Sequence, residues 1–179
     1  MKAILLSFFL WIYRMDMPDL ALLLLGFSCL FLFWKKRTKR DFLWWPVLAV
    51  WTVLVVYITV GNRSGTPSIS HHFLPFHSYR EVMNGGNPEI LRSNFMNVAL
   101  FYPAGLIFAA LLSRKWPRVL RCLLATAVLL AMSAAIEWAQ FRLNLGHCEI
   151  DDVIHNTLGA LLGSLVCAAA LPKENGTAP

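Results

Sequence analysis

Long apolar stretches broken by short charged ones run through almost the whole chain, and the length of each stretch decides what it can form. The hydrocarbon core of a bilayer, about 30 Å thick, is crossed by a helix of roughly 20 apolar residues. Five stretches reach or approach that length, near residues 17–34, 42–60, 95–112, 119–141 and 153–171. None alternates as a barrel strand would, and a backbone in lipid must satisfy its own hydrogen bonds, so each is predicted to be a helix. The expected fold class is an all-α integral membrane protein, a bundle of about five transmembrane helices. Residues 1–13 are apolar but too short to span, and no small-residue cleavage site follows before Asp16. They are expected to form an interfacial helix or the lead-in to the first span. Residues 172–179 are expected to be a disordered tail.

Composition points the same way. Hydrophobic residues make up 58% of the 179 and charged residues only 15%, the balance of an integral membrane protein. Seven Trp and twelve Phe suit contact with lipid and its interface. The net charge of +6 does not indicate a nucleic-acid partner, because the basic residues gather at the ends of apolar runs. Ten of them (Lys35, Lys36, Arg37, Lys39, Arg40, Arg114, Lys115, Arg118, Arg121, Lys173) fall on one side of the predicted bundle. The other six (Lys2, Arg14, Arg63, Arg80, Arg92, Arg142) fall on the opposite side. Short loops rich in Lys and Arg stay cytoplasmic. The expected location is the cytoplasmic (inner) membrane, with the amino terminus outside and the carboxyl terminus inside. Segments 61–94 and 142–152 then face outward. Cys29, Cys122 and Cys167 lie in predicted spans and Cys148 in a loop, with no CxxC spacing, so neither a metal site nor a disulfide framework is expected.

Polar residues inside this apolar sequence carry the candidate chemistry. A carboxylate near the bilayer centre costs roughly 2.5 kcal/mol or more, so it must be paired, hydrated or used. In the last predicted helix, Asp152, Asn156, Gly159 and Gly163 recur at i, i+4, i+7 and i+11 along one stripe. Gly159 and Gly163 form a GxxxG pair that admits a neighbouring helix, which turns Asp152 and Asn156 into the bundle. Ala160 is expected to lie off that stripe. In the fourth helix Ser133, Glu137 and Gln140 share a face, with Asn144 one turn further. In the third, Asn94, Asn97, Phe101 and Gly105 do so, and Pro103 should bend the helix. Three helices thus aim polar groups at one depth near the outer leaflet, and an outward-facing polar pocket is predicted. Its candidate ligand-binding residues are Asn97, Glu137, Gln140, Glu149, Asp151, Asp152 and Asn156.

A plainer reading has these groups only satisfying one another. Asp152 would cap its own helix, where a negative charge is favoured, and Asn97, Gln140 and Asn156 would join helices. Glu137 has no cation within its own span, although Arg142 and His147 stand just outside it. In the outer segment, turn signals at Gly61–Gly65 and Asn84–Pro88 flank an apolar patch of Phe73, Leu74, Pro75, Phe76 and Tyr79. That patch is expected in the headgroup layer or at the mouth of the bundle. His71, His72 and His77 are expected to be solvated.

These residues resemble the VanZ-like family of bacterial membrane proteins. The resemblance rests on Leu74-Pro75-Phe76; on Asn97, Phe101, Pro103 and Gly105; on Glu137 and Gln140; and on Glu149-Ile150-Asp151-Asp152 with Asn156, Gly159 and Gly163. These elements stand in the family's order and cover residues 73–163. Glu149 replaces the family's usual Asp, and His147 stands near where many members carry an Arg. The resemblance implies a division into amino-terminal helices (1–60), a VanZ-like unit with three spans (61–171) and the tail. It also implies a link to tolerance of teicoplanin, a lipoglycopeptide acting at the outer face of the membrane. It supplies no reaction.

Three functions compete. In the first, the pocket binds an envelope lipid, a lipoglycopeptide or a lipid-linked cell-wall precursor without catalysis, and the apolar patch holds an acyl chain. In the second, an intramembrane enzyme acts on a lipid-linked envelope substrate. Glu137, Asp151 and Asp152 would then be its catalytic acid–base groups, or oxygen ligands of a divalent cation. No cofactor is otherwise evident, and no nucleophile motif is present. In the third, the carboxylates relay protons in a transporter, which five spans without an internal repeat support least.

Overall fold

The structure, a computed structural model, describes residues 17–37, 41–61, 70–112, 114–145 and 147–171. The expectations for residues 1–13 and 172–179, and for most of the Gly61–Gly65 turn, lie outside the described residues. In chain order the elements are α1 (Met17–Arg37), a 3-10 turn (Asp41–Leu43), α2 (Trp44–Val56) and a π-helical turn (Tyr57–Gly61). They continue with β1 (Ser70–His72), α3 (His77–Met83), α4 (Glu89–Leu111), α5 (Arg118–Leu143), β2 (His147–Glu149) and α6 (Ile150–Ala170).

Among the described residues, four helices are long and apolar enough to cross a membrane: α1, α4, α5 and α6. The stretch predicted at 42–60 forms a shorter apolar helix instead, its last turn widened into the π form. Prolines sit at the N-caps of α4 (Pro88) and α5 (Pro117), where a missing N–H leaves no intrahelical bond unmade. Asn144 ends α5 in the left-handed conformation (φ 52°) and is exposed, so it leaves the face shared by Ser133, Glu137 and Gln140.

In lipid, apolar side chains gain little by exchanging lipid for each other, so helices join by close backbone approach and hydrogen bonds. The sequence provides for both. α6 lies against α4 and α5 as the central element of the bundle. Gly159 abuts the Val98 carbonyl, Gly163 the Tyr102 carbonyl, and Gly105 of α4 the Ala160 carbonyl, leaving no room for a Cβ at any of them. Ala160, expected off the contact stripe, is 0% exposed and belongs to this seam. The interface is wider than one GxxxG stripe, because Gly105 of α4 answers the glycines of α6.

α1 joins through Ser28, whose hydroxyl lies 2.7 Å from the Tyr102 hydroxyl. α2 joins through Trp51, whose Nε1 donates to the Leu100 carbonyl at 3.0 Å, in the turn that Pro103 loosens by withholding its N–H. Large apolar side chains such as Leu22, Leu25, Val53, Val119 and Leu123 face outward, as contact with acyl chains requires. One addition to the all-α expectation is a two-stranded parallel sheet, with Ser70 opposite His147, His71 opposite Cys148 and His72 opposite Glu149. So short a sheet is marginal alone. Here it ties the segment before α3 to the strand that leads into α6.

Candidate functional site

Two hydrogen-bond networks occupy the end of the bundle where α6 begins. Asp151, in the first turn of α6, is 1% exposed. One carboxylate oxygen accepts from the Phe76 N–H at 2.5 Å. The other accepts from the Ser78 N–H at 2.9 Å and from the Ser78 hydroxyl at 2.6 Å. These backbone donors are the open N–H groups at the start of α3, so Asp151 caps that helix from another part of the chain. It also fixes Phe76 in the left-handed region (φ 61°), which costs a residue with a Cβ about 1–3 kcal/mol. Asn94 of α4 donates to the Ser78 hydroxyl at 2.8 Å. His155, one turn beyond Asp151, holds its Nδ1 2.5 Å from the Asp151 carbonyl. A carbonyl only accepts, so Nδ1 carries a proton, and Nε2 lies 2.7 Å from the Tyr79 hydroxyl.

The second network lies among α4, α5 and α6. Asn97 donates to Asp152 at 2.6 Å, and Asn156 donates to the Ser133 hydroxyl at 2.9 Å. Glu137 accepts from the Glu149 N–H at 3.0 Å. Gln140 donates to the Thr59 carbonyl in the π turn at 2.7 Å. That bond fixes the orientation of the amide, and among the described residues the buried Gln140 Oε1 and Asn156 Oδ1 meet no hydrogen-bond partner. Arg142, a candidate partner for Glu137, lies over the exposed Trp138 ring, 5.9 Å from its centroid. The side chain of His147 is outside the described set.

The candidate residues therefore divide. Glu137, Glu149 and Asp152 all act on Cys148 through their charge. Burial first, and then the negative charge of Glu137, push the Cys148 thiol up to about 11, so it stays protonated at neutral pH. Asp151 instead gives its oxygens to the N–H and O–H donors of the turn at 76–78. Among the described residues no three His, Cys, Asp or Glu side chains form a ready-made metal site. At the start of α6 the N-cap residue Glu149 makes no side-chain cap bond, and Asp152 in the first turn accepts from Asn97 of α4.

Ser78 and His155 were not singled out by the sequence. His155 carried a usable signal, the i, i+4 spacing from Asp151 on a mostly apolar helix. Ser78 carried only its position after Leu74-Pro75-Phe76. Of the histidines expected to be solvated, His71 is edge-on to Phe141 (4.9 Å between centroids) and His72 stacks on His77 (3.9 Å).

No curated protein and no solved structure matches the chain. A family model described as VanZ/LLP1 matches residues 42–171, a range that runs from α2 through α6 and contains both networks. The chain belongs to the VanZ/LLP1 family.

Proposed function

We propose a VanZ-type protein of the bacterial inner membrane whose extracytoplasmic polar site holds an amphiphilic envelope ligand and so limits teicoplanin-type glycopeptides. The two buried acceptors that meet no partner among the described residues, Gln140 Oε1 and Asn156 Oδ1, carry this reading. A buried polar atom left unpaired costs about 1–3 kcal/mol, and a ligand rich in O–H or N–H donors would recover it. A lipid-linked wall precursor or a lipoglycopeptide offers such a head beside an acyl chain. Asn97, Glu137, Glu149, Asp151 and Asp152 complete the polar wall or hold its edge. Exposed Phe73, Leu74, Phe76 and Met83 give the chain an apolar surface beside the site. The enzymatic alternative, with Glu137, Asp151 and Asp152 acting on a lipid-linked substrate, has less support. Asp151 is committed to the turn at 76–78, and the one nearby thiol is protonated.

Glu137→Gln and Asp152→Asn keep shape and hydrogen-bonding capacity but remove charge. Each is expected to abolish glycopeptide tolerance in a host lacking the gene, at unchanged expression and insertion. Wild-type tolerance from both variants would leave these carboxylates a purely structural role.

The same proposal places the amino terminus outside, with α2 and its π turn completing a short fifth crossing. A cysteine at exposed Asn84, in a background without native cysteines, should react with an impermeant maleimide on intact cells. One at exposed Arg118 should react only after permeabilisation. Reversed labelling would move the polar site to the cytoplasmic face.

A further inference from the structure

The opposite end of the bundle holds a second, unrelated group of buried charges. Arg121, in the second turn of α5, is 0% exposed. Its Nη2 donates to the Leu171 carbonyl, just past α6, at 2.7 Å. Its Nε and Nη1 are buried and meet no acceptor among the described residues. Three N–H hydrogens of a permanent cation are therefore out of water with no acceptor among the described residues, an arrangement that is costly without an anion. Two more cations converge here. Lys35, buried near the end of α1, and Arg114, between α4 and α5, both lie within electrostatic reach of Cys167, as does Arg121. α5 also starts with no side-chain cap and no acidic residue in its first turn, leaving its positive end open.

We propose that this end of the bundle binds the phosphate of an anionic glycerophospholipid, with Arg121 as the principal donor and Lys35 and Arg114 adding positive field. A phosphate diester offers several acceptor oxygens, enough to take the guanidinium hydrogens that Leu171 leaves unused. Basic pockets between membrane helices recognise acidic headgroups in this way. A lipid fits better than free phosphate, because exposed Trp34, Trp45 and Trp116 stand at the same end, as aromatic residues do at headgroup depth. Exposed Leu120, Leu123 and Leu124 continue along α5, where an acyl chain would run.

The test uses the full chain in a neutral detergent, titrated with short-chain phosphatidylglycerol, short-chain phosphatidylcholine or inorganic phosphate. Binding is followed by native mass spectrometry and by the melting temperature. Phosphatidylglycerol is expected to bind and stabilise, with the other two well behind. Arg121→Gln should weaken phosphatidylglycerol binding roughly tenfold to a hundredfold, the loss expected for hydrogen bonds to a charged group. If Arg121→Gln does not fold, Lys35→Gln should lower the same affinity while leaving phosphatidylcholine binding unchanged. Equal binding of the two lipids by the wild type, or unchanged affinity in the variants, overturns the proposal. Stabilisation by phosphate alone to the same extent overturns the lipid as its source.

Discussion

Gly159→Leu is expected to remove nearly all folded protein from detergent extracts, while Ala169→Leu, on the exposed side of the same helix, should leave the yield unchanged. A side chain at Gly159 has nowhere to go. The atom it meets is the Val98 carbonyl, part of the α4 backbone, and no rotamer change can move it aside. Inserting methylenes into a well-filled core costs about 1–3 kcal/mol when side chains can adjust. Here α4 and α6 must separate, so the cost should exceed ~3 kcal/mol. Separation would also pull Asn97 from Asp152. Ala160→Leu should be almost as harmful as Gly159→Leu, because Gly105 lies against the Ala160 backbone. Size-exclusion profiles and melting curves of the three variants decide the matter. An Ala160→Leu protein that behaves like Ala169→Leu would contradict the seam described above.

Asp151→Ala should release the turn at 76–78. Two backbone N–H groups and one hydroxyl lose their acceptor together. At about 1–3 kcal/mol for each buried group left unsatisfied, a total near 3 kcal/mol or more is expected. The melting temperature should then fall by about 6–12 °C, at roughly 2–4 °C per kcal/mol for a chain of this size. Asp151→Asn keeps one acceptor oxygen and should lose about half as much. Amide exchange separates this from a general weakening of the fold. The Phe76 and Ser78 amides should lose protection in Asp151→Ala, while those of α5 keep theirs. Unchanged protection at Phe76 and Ser78 would show that Asp151 does not hold the turn.

The hydropathy of the chain placed the ends of the long helices to within three residues, except that α4 begins at Glu89, six residues before the expected 95, because in lipid the length of an apolar run is nearly the whole determinant of structure while a polar first turn can extend beyond it. It overstated the stretch at 42–60, where the apolar run is long enough but the helix leaves its regular form after Val56. Periodicity along α6 identified the glycine seam and the Asn97–Asp152 pairing side, since i, i+4 spacing survives folding unchanged. The roles of the two aspartates were less legible. Nothing local distinguishes Asp151 from Asp152, yet one faces a turn 73 residues earlier and the other faces α4. Ala160 was misjudged for a related reason. The width of a helix interface depends on its partner, and the partner here has a glycine of its own at Gly105.

The central place of α6 has a consequence for biosynthesis. α4 and α5 leave the ribosome and reach the translocon before α6 exists. During that interval Asn97 lacks the carboxylate it later serves, Ser133 lacks the amide of Asn156, and Gly105 exposes bare backbone to lipid. Both helices meet the bilayer with these groups unpaired, and the turn at 76–78 lacks its acceptor until Asp151 is made. The last described helix is thus the one that pairs the polar faces of the two helices made before it.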